Sequence, residues 1–280
     1  MTVRIVTDSC SDIPQEEAKQ LGISVVPVYV RFGDEVYRDG VDIDNREFYH
    51  KLVTSSAHPS TAAPSPGDFV NVYEEVAQKT DEIVSIHITS KNSATYDAAM
   101  VGKGLVKNKG CRIEVIDSEG LAMWQGLVVI AAAKAAEAGY GLNQVVDKVR
   151  QTIKQMRALA LLDTVMYIVR GGRLGKAVST VDSLLHVKLL ITVRDGKVRP
   201  AGLVRTRRKG IGRLCEFTRS ALCIEDLAIV YSTVSDDTQA LADWVRLHFP
   251  NIVPRIARLG PALGVHAGPG TLGVVVKEAR

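Results

Sequence analysis

Aromatic side chains are scarce in this 280-residue chain: two Trp, eight Tyr and five Phe make up 5% of it. Proteins that hold single-stranded nucleic acid stack bases on aromatic platforms. With none of these, and no helix-turn-helix or zinc-finger spacing, nucleic-acid binding is set aside. Cysteine is sparse too. Cys10, Cys111, Cys215 and Cys223 are scattered without C-x-x-C spacing, which excludes the common zinc sites and a disulfide scaffold and fits a reducing compartment. The longest apolar run, Gly126 to Ala133, is too short to span a bilayer. Neither a G-x-x-x-x-G-K-[ST] phosphate loop nor a G-x-S-x-G nucleophile elbow is present. No repeat or low-complexity linker interrupts the pattern. Met1-Thr2-Val3-Arg4-Ile5-Val6 passes straight into a strand pattern with no signal peptide, so the expected location is the cytoplasm.

The length itself exceeds that of a usual single core and favours two domains. A formal net charge of +4 hides an asymmetry: residues 1–140 carry 13 Lys and Arg against 20 Asp and Glu, net −7, and residues 141–280 carry 22 against 11, net +11. Unlike halves suit an anionic ligand drawn between them or an acidic protein partner.

Short apolar strands alternate with helical segments, an α/β pattern. Val3 to Val6, Ile23 to Val30, Ile83 to Ile88 and Ile113 to Ile116 read as strands. Helices are expected after Pro14, at Asp44 and Ser65, after Ser93 to about Val106, and over Leu121 to Ala138 and Leu142 to Ala158, with Ala57 to Pro64 as loop. Further on, Asp195-Gly196 between two apolar runs signals a type I′ hairpin. Strands at Leu227 to Tyr231, Ile252 to Arg258 and Thr271 to Val276, with helices near Lys209 to Ala221 and Asp237 to Phe249, complete a second unit. The domain boundary is expected near residue 160.

Several polar clusters sit where such a fold binds ligands. Two strands end on Asp8-Ser9 and Asp117-Ser118, and in open parallel sheets ligands lie beyond the carboxyl ends of strands. Ser93 stands at a helix start, either as an anion-binding hydroxyl or as an ordinary cap. Ser60-Thr61 precedes Ala62-Ala63-Pro64-Ser65-Pro66, a rigid segment that presents hydroxyls. Arg170-Gly171-Gly172-Arg173 sets two guanidinium groups beside flexible backbone, suited to a carboxylate or phosphate or to capping carbonyls. Between Leu259 and Val276 the only titratable side chain is His266, beside Ala267-Gly268-Pro269-Gly270. It reads as a polar contact in an apolar surround or as a core histidine bonded to a carbonyl.

Thr7-Asp8-Ser9 with Asp12, Pro64 to Phe69, Ser93-Ala94-Thr95-Tyr96, Asp117-Ser118, Tyr167 to Arg173 and His266 to Gly270 resemble the DegV family in order and spacing along nearly the whole chain. The resemblance implies an α/β chain with the two-domain fold shared with dihydroxyacetone kinase. Residues 1–160 would form an α/β/α domain with a parallel sheet, and 161–280 a two-layer α/β domain with a mixed sheet. A long-chain fatty acid would lie between them. Some members are the binding subunit of bacterial fatty acid kinase, so the resemblance implies a non-enzymatic subunit that presents the acid to a separate ATP-dependent kinase making acyl phosphate. By motif position the carboxylate falls to Thr61, Ser93, Arg170 and His266, with Asp8, Ser9, Ser118, Arg173 and Gly268 in support and no metal or cofactor. Ala62 and Ala63 replace the family's serine and glutamine, and Asn92-Ser93-Ala94 replaces a Leu-Ser-Gly run, changes that narrow or dry the carboxylate end.

The ligand class also agrees with elementary energetics. About 14 buried methylenes at roughly 0.8 kcal/mol each give on the order of 11 kcal/mol before association costs, and a buried carboxylate needs paired donors. Arg205, Arg207, Arg208 and Lys209, with Lys197 and Arg199 close in sequence, form the candidate docking strip for the kinase, or else a solvated helix start. Two other readings stand beside this one. One is a stand-alone lipid carrier or sensor, in transient contact with membranes; the other is a serine hydrolase using Ser93, His266 and Asp8.

Overall fold

The computed structural model describes residues 2–174 and 187–279. The chain opens with β1 (Arg4–Asp8), a 3-10 turn (Ser9–Ser11), α1 (Gln15–Gln20), β2 (Ser24–Val26), β3 (Tyr29–Phe32), β4 (Glu35–Arg38), α2 (Asn45–Thr54) and β5 (Ser60–Ala62). There follow α3 (Pro66–Val76), β6 (Glu82–His87), α4 (Thr95–Leu105), β7 (Arg112–Asp117), α5 (Met123–Glu137) and α6 (Leu142–Ile153). The second half holds β8 (Met156–Leu162), α7 (Met166–Arg170), β9 (Lys188–Arg194), β10 (Lys197–Val204), α8 (Arg207–Arg219), β11 (Ile224–Tyr231), α9 (Asp236–His248), β12 (Arg255–Arg258), α10 (Pro261–Ala267) and β13 (Leu272–Glu278). β2-β1-β6-β7 form a parallel sheet, β4-β3-β5 a small antiparallel one, and β10-β9-β8-β13-β11-β12 a mixed sheet in which only β11 and β12 run parallel.

Local chemistry accounts for the element ends. Asp44 caps α2 by accepting from Glu47 N at 2.8 Å, and Ser65 with Asp68 makes a reciprocal capping box at α3, whose first residue is Pro66. Asp195 and Gly196 take φ of 52° and 71°, the paired left-handed conformation of a type I′ turn. That hairpin tip reaches the first half of the chain, where Thr89 Oγ1 donates to the Gly196 carbonyl at 2.7 Å.

Three segments depart from the sequence reading. Ile23 to Val30 is not one strand: Pro27 breaks it, and β2 pairs with β1 while β3 turns away to β4 and β5. Ala57 to Pro64 is not all loop, because β5 pairs Thr61 with Val30. The helix expected through Ala158 stops at Ile153. Met156–Leu162 has helix-forming Ala and Leu, but it gains strand partners on both sides in β13 and β9, and tertiary pairing overrides propensity. Residue 160 therefore lies inside β8, within the mixed sheet. The segments before Arg170 and around His266 are short helices, α7 and α10.

The layers stack in order. α3 and α4 cover one face of the parallel sheet through Phe69, Tyr73 and Ala99, and α5 and α6 cover the other. α8 and α9 cover the outer face of the mixed sheet through Leu214, Leu241 and Val245. α5 touches both sheets, and Gly126 lets it approach the 3-10 turn: a Cβ there would sit 2.6 Å from the Ser11 carbonyl oxygen. Gly126→Ala is expected to destabilise by roughly 1–3 kcal/mol in urea unfolding, because this overlap exceeds the about 1 kcal/mol that alanine gains in a helix.

Candidate functional site

Past the N-terminal end of α5 the chain encloses a cavity of about 220 Å³, against roughly 10–15 Å³ for one water. β8, β9, β10 and β13 supply one wall, including Ala158, Leu159, Ala160, Ile191, Val193, Val198 and Val275. Val28, Ile88, Leu121, Ala122, Leu259, Ala262 and Leu263 supply the other. The hydroxyls of Thr192 and Thr271, also on the wall, are spent on the Ala158 and Ala267 carbonyls at 2.8 Å each, so the interior is apolar in effect. An apolar cavity with a few convergent polar groups at one end is the usual form of a small-molecule site.

Those groups come from four separated segments. β5 presents Thr61 and the last turn of α10 presents His266, with Oγ1 and Nε2 3.1 Å apart. Burial first, then the charge of Arg173 and the neighbouring His58, pushes the His266 pKa down to about 4. The imidazole is therefore neutral at pH 7. A hydroxyl and a neutral imidazole share two protons and one hydrogen bond, so one donor is always left over, whichever tautomer holds. His266 Nδ1 is buried and has no partner in the described residues. Gly171 packs against it so closely that a Cβ there would overlap the ring.

Ser93 lines the same cavity, just before α4. Its Oγ lies 2.8 Å from Thr95 Oγ1, so it belongs to a local hydroxyl pair. Ala62, Ala63, Asn92 and Ala94 are at the wall as well, so the four departures from the family pattern all fall on the site.

Arg170, expected at the carboxylate, is exposed and outside the cavity lining. Ile168 is the buried residue of α7, and at 100° per residue Arg170 points about 200° away from it. The turn through Gly172, φ 68°, brings the chain back, and Arg173 is the arginine that lines the cavity, though it too is exposed and its Nη1 donates to the Gly171 carbonyl at 2.6 Å. Sequence reasoning missed Asn92. Its Nδ2 donates to the Arg173 carbonyl at 3.1 Å and ties the loop after β6 to this turn, while its buried Oδ1 lacks a partner in the described residues. Its one signal in the sequence is that it stands where the family pattern has leucine, beside Ser93.

Asp8, Ser9 and Ser118 do not line the cavity. Asp8 is sealed in: it accepts from Cys10 N at 3.0 Å, Ile88 N at 3.0 Å and Gln125 Nε2 at 3.1 Å, and lies 3.0 Å from His87 Nδ1. His87 Nε2 continues to Ser85 Oγ at 2.6 Å, which accepts from Tyr73 Oη at 2.8 Å. This serine–histidine–aspartate chain is completely buried, so no substrate reaches it. The grouping of Asp8, His266 and Ser93 does not form, since each is bonded elsewhere. Ser9 donates to Asp39 and accepts from Val28 N, and Ser118 donates to the Gly120 carbonyl. Gly268 ends α10 at φ 73°, where a Cβ would overlap the ring of Tyr167.

Of the basic strip, Arg205, Arg208 and Lys209 are exposed. Arg207 is not a free surface charge. It pairs with Asp163 and Asp237 and donates to the Gly270 carbonyl at 2.6 Å, bracing the loop that follows His266.

Fold and site together define a class: an α/β protein with an apolar cavity between its parallel and mixed sheets and hydrogen-bond donors at the mouth. The profile described as "Uncharacterised protein, DegV family" matches residues 2–279, and the chain belongs to that family. A DegV domain-containing protein of Halalkalibacterium halodurans is 34% identical, with 97% of each chain covered, and one of Streptomyces coelicolor is 34% identical over 99% of this chain and 98% of its own. Among solved structures, the fatty-acid-binding DegV family protein of Thermus thermophilus superposes at a TM-score of 0.91 with 30% identity over 100% of both chains. DegV of Bacillus subtilis, named a fatty acid binding protein, superposes at 0.91 with 27% identity over 100% of both. Among the described residues no helix is long and apolar enough to cross a membrane.

The state of His266 has a measurable cost in acid. The unfolded imidazole takes a proton near pH 6.5 and the folded one only near 4. Its contribution to stability is therefore complete above pH 6.5 and is lost as pH falls toward 4. His266→Gln is expected to flatten the change in urea midpoint across that window relative to the parent chain.

Proposed function

We propose that the chain binds one long-chain fatty acid between its two domains, with the boundary before β8 at Met156 in place of residue 160, and presents the carboxylate to a separate ATP-dependent kinase in the cytoplasm. The observation that carries this reading is an apolar cavity ending at the neutral Thr61–His266 pair beside Arg173. The acyl chain takes the apolar walls, and Thr61, Ser93, Arg173 and His266 take the carboxylate, with Arg173 in place of Arg170. A neutral imidazole suits an intermittently filled site, because the empty cavity then holds no buried charge. An arriving carboxylate favours the charged imidazole, so binding takes up protons below neutral pH. The relatives named for fatty acid binding support the ligand class.

Organic extraction and mass spectrometry of the purified protein should return a straight-chain fatty acid in about one-to-one ratio. Arg173→Ala and His266→Ala should each weaken uptake of a fluorescent fatty acid about ten- to hundredfold, in line with roughly 1.5–3 kcal/mol for a hydrogen bond to a charged group. Arg170→Ala should stay within about twofold. The reverse ranking of the two arginines would return the role to Arg170, and no ligand and no uptake would end the fatty-acid reading.

For the kinase step, the chain with ATP, magnesium and fatty acid should make no acyl phosphate alone and should do so when the kinase subunit is added. Charge reversal at Arg205, Arg208 and Lys209 should lower the coupled rate most at low salt, with fatty-acid affinity unchanged. Arg207 is left intact because its reversal would break the brace at Gly270. Full coupled activity after the reversal would move the docking surface elsewhere.

A further inference from the structure

Two carboxylates that the proposed function does not use stand between the cavity and a surface groove of about 850 Å³. Asp12 follows the 3-10 turn after β1, and Asp39 follows β4. They meet at the start of α10, where Asp12 Oδ1 accepts from Gly260 N at 2.8 Å and Asp39 Oδ2 accepts from Ala262 N at 3.2 Å. Pro261 between them has no N–H, so both donors of residues 260–262 are held by side chains from the first half of the chain. Asp39 Oδ2 also accepts from Ser9 Oγ at 2.9 Å, and that hydroxyl accepts from Val28 N at 3.0 Å, so the carboxylate is itself oriented. A Cβ at Gly260 would lie 3.0 Å from Asp12 Oδ1 and 3.3 Å from both oxygens of Asp39, so glycine is what lets both reach the helix.

His266 stands in the last turn of this seven-residue helix, about 8 Å from its start at 1.5 Å per residue. The flank and far end of α10 are already fixed. Gly264 packs on the rings of Phe48 and Tyr49, and Thr271 Oγ1 donates to the Ala267 carbonyl at 2.8 Å. Just before the helix, Leu259 N donates to the Tyr231 carbonyl at 2.8 Å and Tyr49 Oη to the Leu259 carbonyl at 3.1 Å, and the carboxylate pair holds the first N–H groups of the helix itself. We propose that Asp12 and Asp39 are the positioning residues of His266, setting through α10 where the imidazole stands against Thr61 and making that placement respond to the charge on Asp39.

The groups facing the pair are Asp8 of β1, Cys10 of the 3-10 turn, Tyr49 of α2 and Arg258 of β12, with Lys19, Asp44 and Arg46 across the groove. Burial pushes the Asp39 pKa up to about 7, with Asp8 adding to the rise and the bonds from Ser9 and Ala262 opposing it. Burial likewise pushes Asp12 well up, opposed by the Gly260 N–H and reinforced by Asp39 and Asp8. The charge at the start of α10 therefore changes close to neutral pH, where His266 itself does not titrate.

The test follows the His266 ring by NMR in histidine-labelled protein without ligand, with His266→Gln to assign the signal. The parent chain should show two inflections, one near pH 4 from the imidazole and a smaller one near pH 7 from Asp39. Asp39→Asn keeps an acceptor oxygen and should erase only the inflection near 7. Asp39→Ala, and Asp12→Gly at a residue whose φ is 51°, remove the acceptor and should move the imidazole midpoint toward 6.5. They should also lower fatty-acid affinity at least fivefold, a consequence that rests on the fatty-acid reading. Survival of the inflection near 7 in Asp39→Asn, or an unmoved imidazole midpoint in the folded Asp39→Ala and Asp12→Gly chains, would overturn the proposal. The NMR readout needs no ligand, so a protein that binds no fatty acid but shows both inflections would end the fatty-acid reading and leave this one standing.

Discussion

The burial of α5 governs the rest of the structure. Twelve of its fifteen residues are buried, among them Met123, Leu127, Val128, Val129 and Ile130. A helix without a polar face has to be covered on every side, and here the cover is the parallel sheet on one side and the mixed sheet on the other. α5 is therefore a spacer that holds two sheets a helix diameter apart, about 10 Å. Where it stops, the spacing persists and the filling ends. Leu121 and Ala122, just before its first turn, line the cavity, as do Ala158 and Ala160 on β8. The empty space follows from the length of one helix and from small side chains where a packed core would place large ones.

At the mouth the competition is between desolvation and charge. An imidazolium buried beside Arg173 would lack a counter-ion, and burial keeps His266 neutral. Charge that would be costly inside is kept to the frame around the site. Arg207, with Asp163 and Asp237, braces the turn at Gly270, and Lys188 pairs with Asp163. The Asp8 carboxylate collects donors from the ends of β1 and β6 and from α5. Breaking a pair buried as deeply as Asp8 and His87 costs more than an exposed pair ever contributes. The strand-end aspartate thus serves the site by fixing the backbone on which Cys10 and Ile88 present the wall.

Much of this was legible in the sequence wherever the controlling interaction is local. Asp44 and the Ser65 capping box mark helix starts, Asp195-Gly196 marks a hairpin, and Thr61, Ser93 and His266 fall on one cavity. The illegible parts are set by distant partners. Met156–Leu162 is a strand because β13 and β9 lie beside it, and no window of sequence contains them. Arg170 and Arg173 are equivalent as residue types. Which of them reaches the cavity depends on the phase of a five-residue helix and the left-handed turn at Gly172. The strip from Arg205 to Lys209 looks uniform in sequence, yet Arg207 is claimed by carboxylates at positions 163 and 237.

The same dispersal sets how the two halves are held together around the cavity. Thr61, Ser93, Arg173 and His266 sit on four segments, and the two halves of the chain are joined around the cavity by few bonds. Thr89 reaches Gly196, Asn92 reaches the Arg173 carbonyl, Thr61 meets His266, and Asp12 and Asp39 hold Gly260 and Ala262. Each is worth about 0.5–1.5 kcal/mol net, more where a carboxylate accepts. The first three, between neutral groups, fall at the lower end of that range, whereas the last two are accepted by carboxylates. α5 and its two sheets are held instead by contact that is apolar and extensive. The hairpin tip and the loops at the mouth are thus tied by single bonds between neutral groups, and the wall behind α10 is clamped by two carboxylates at its start.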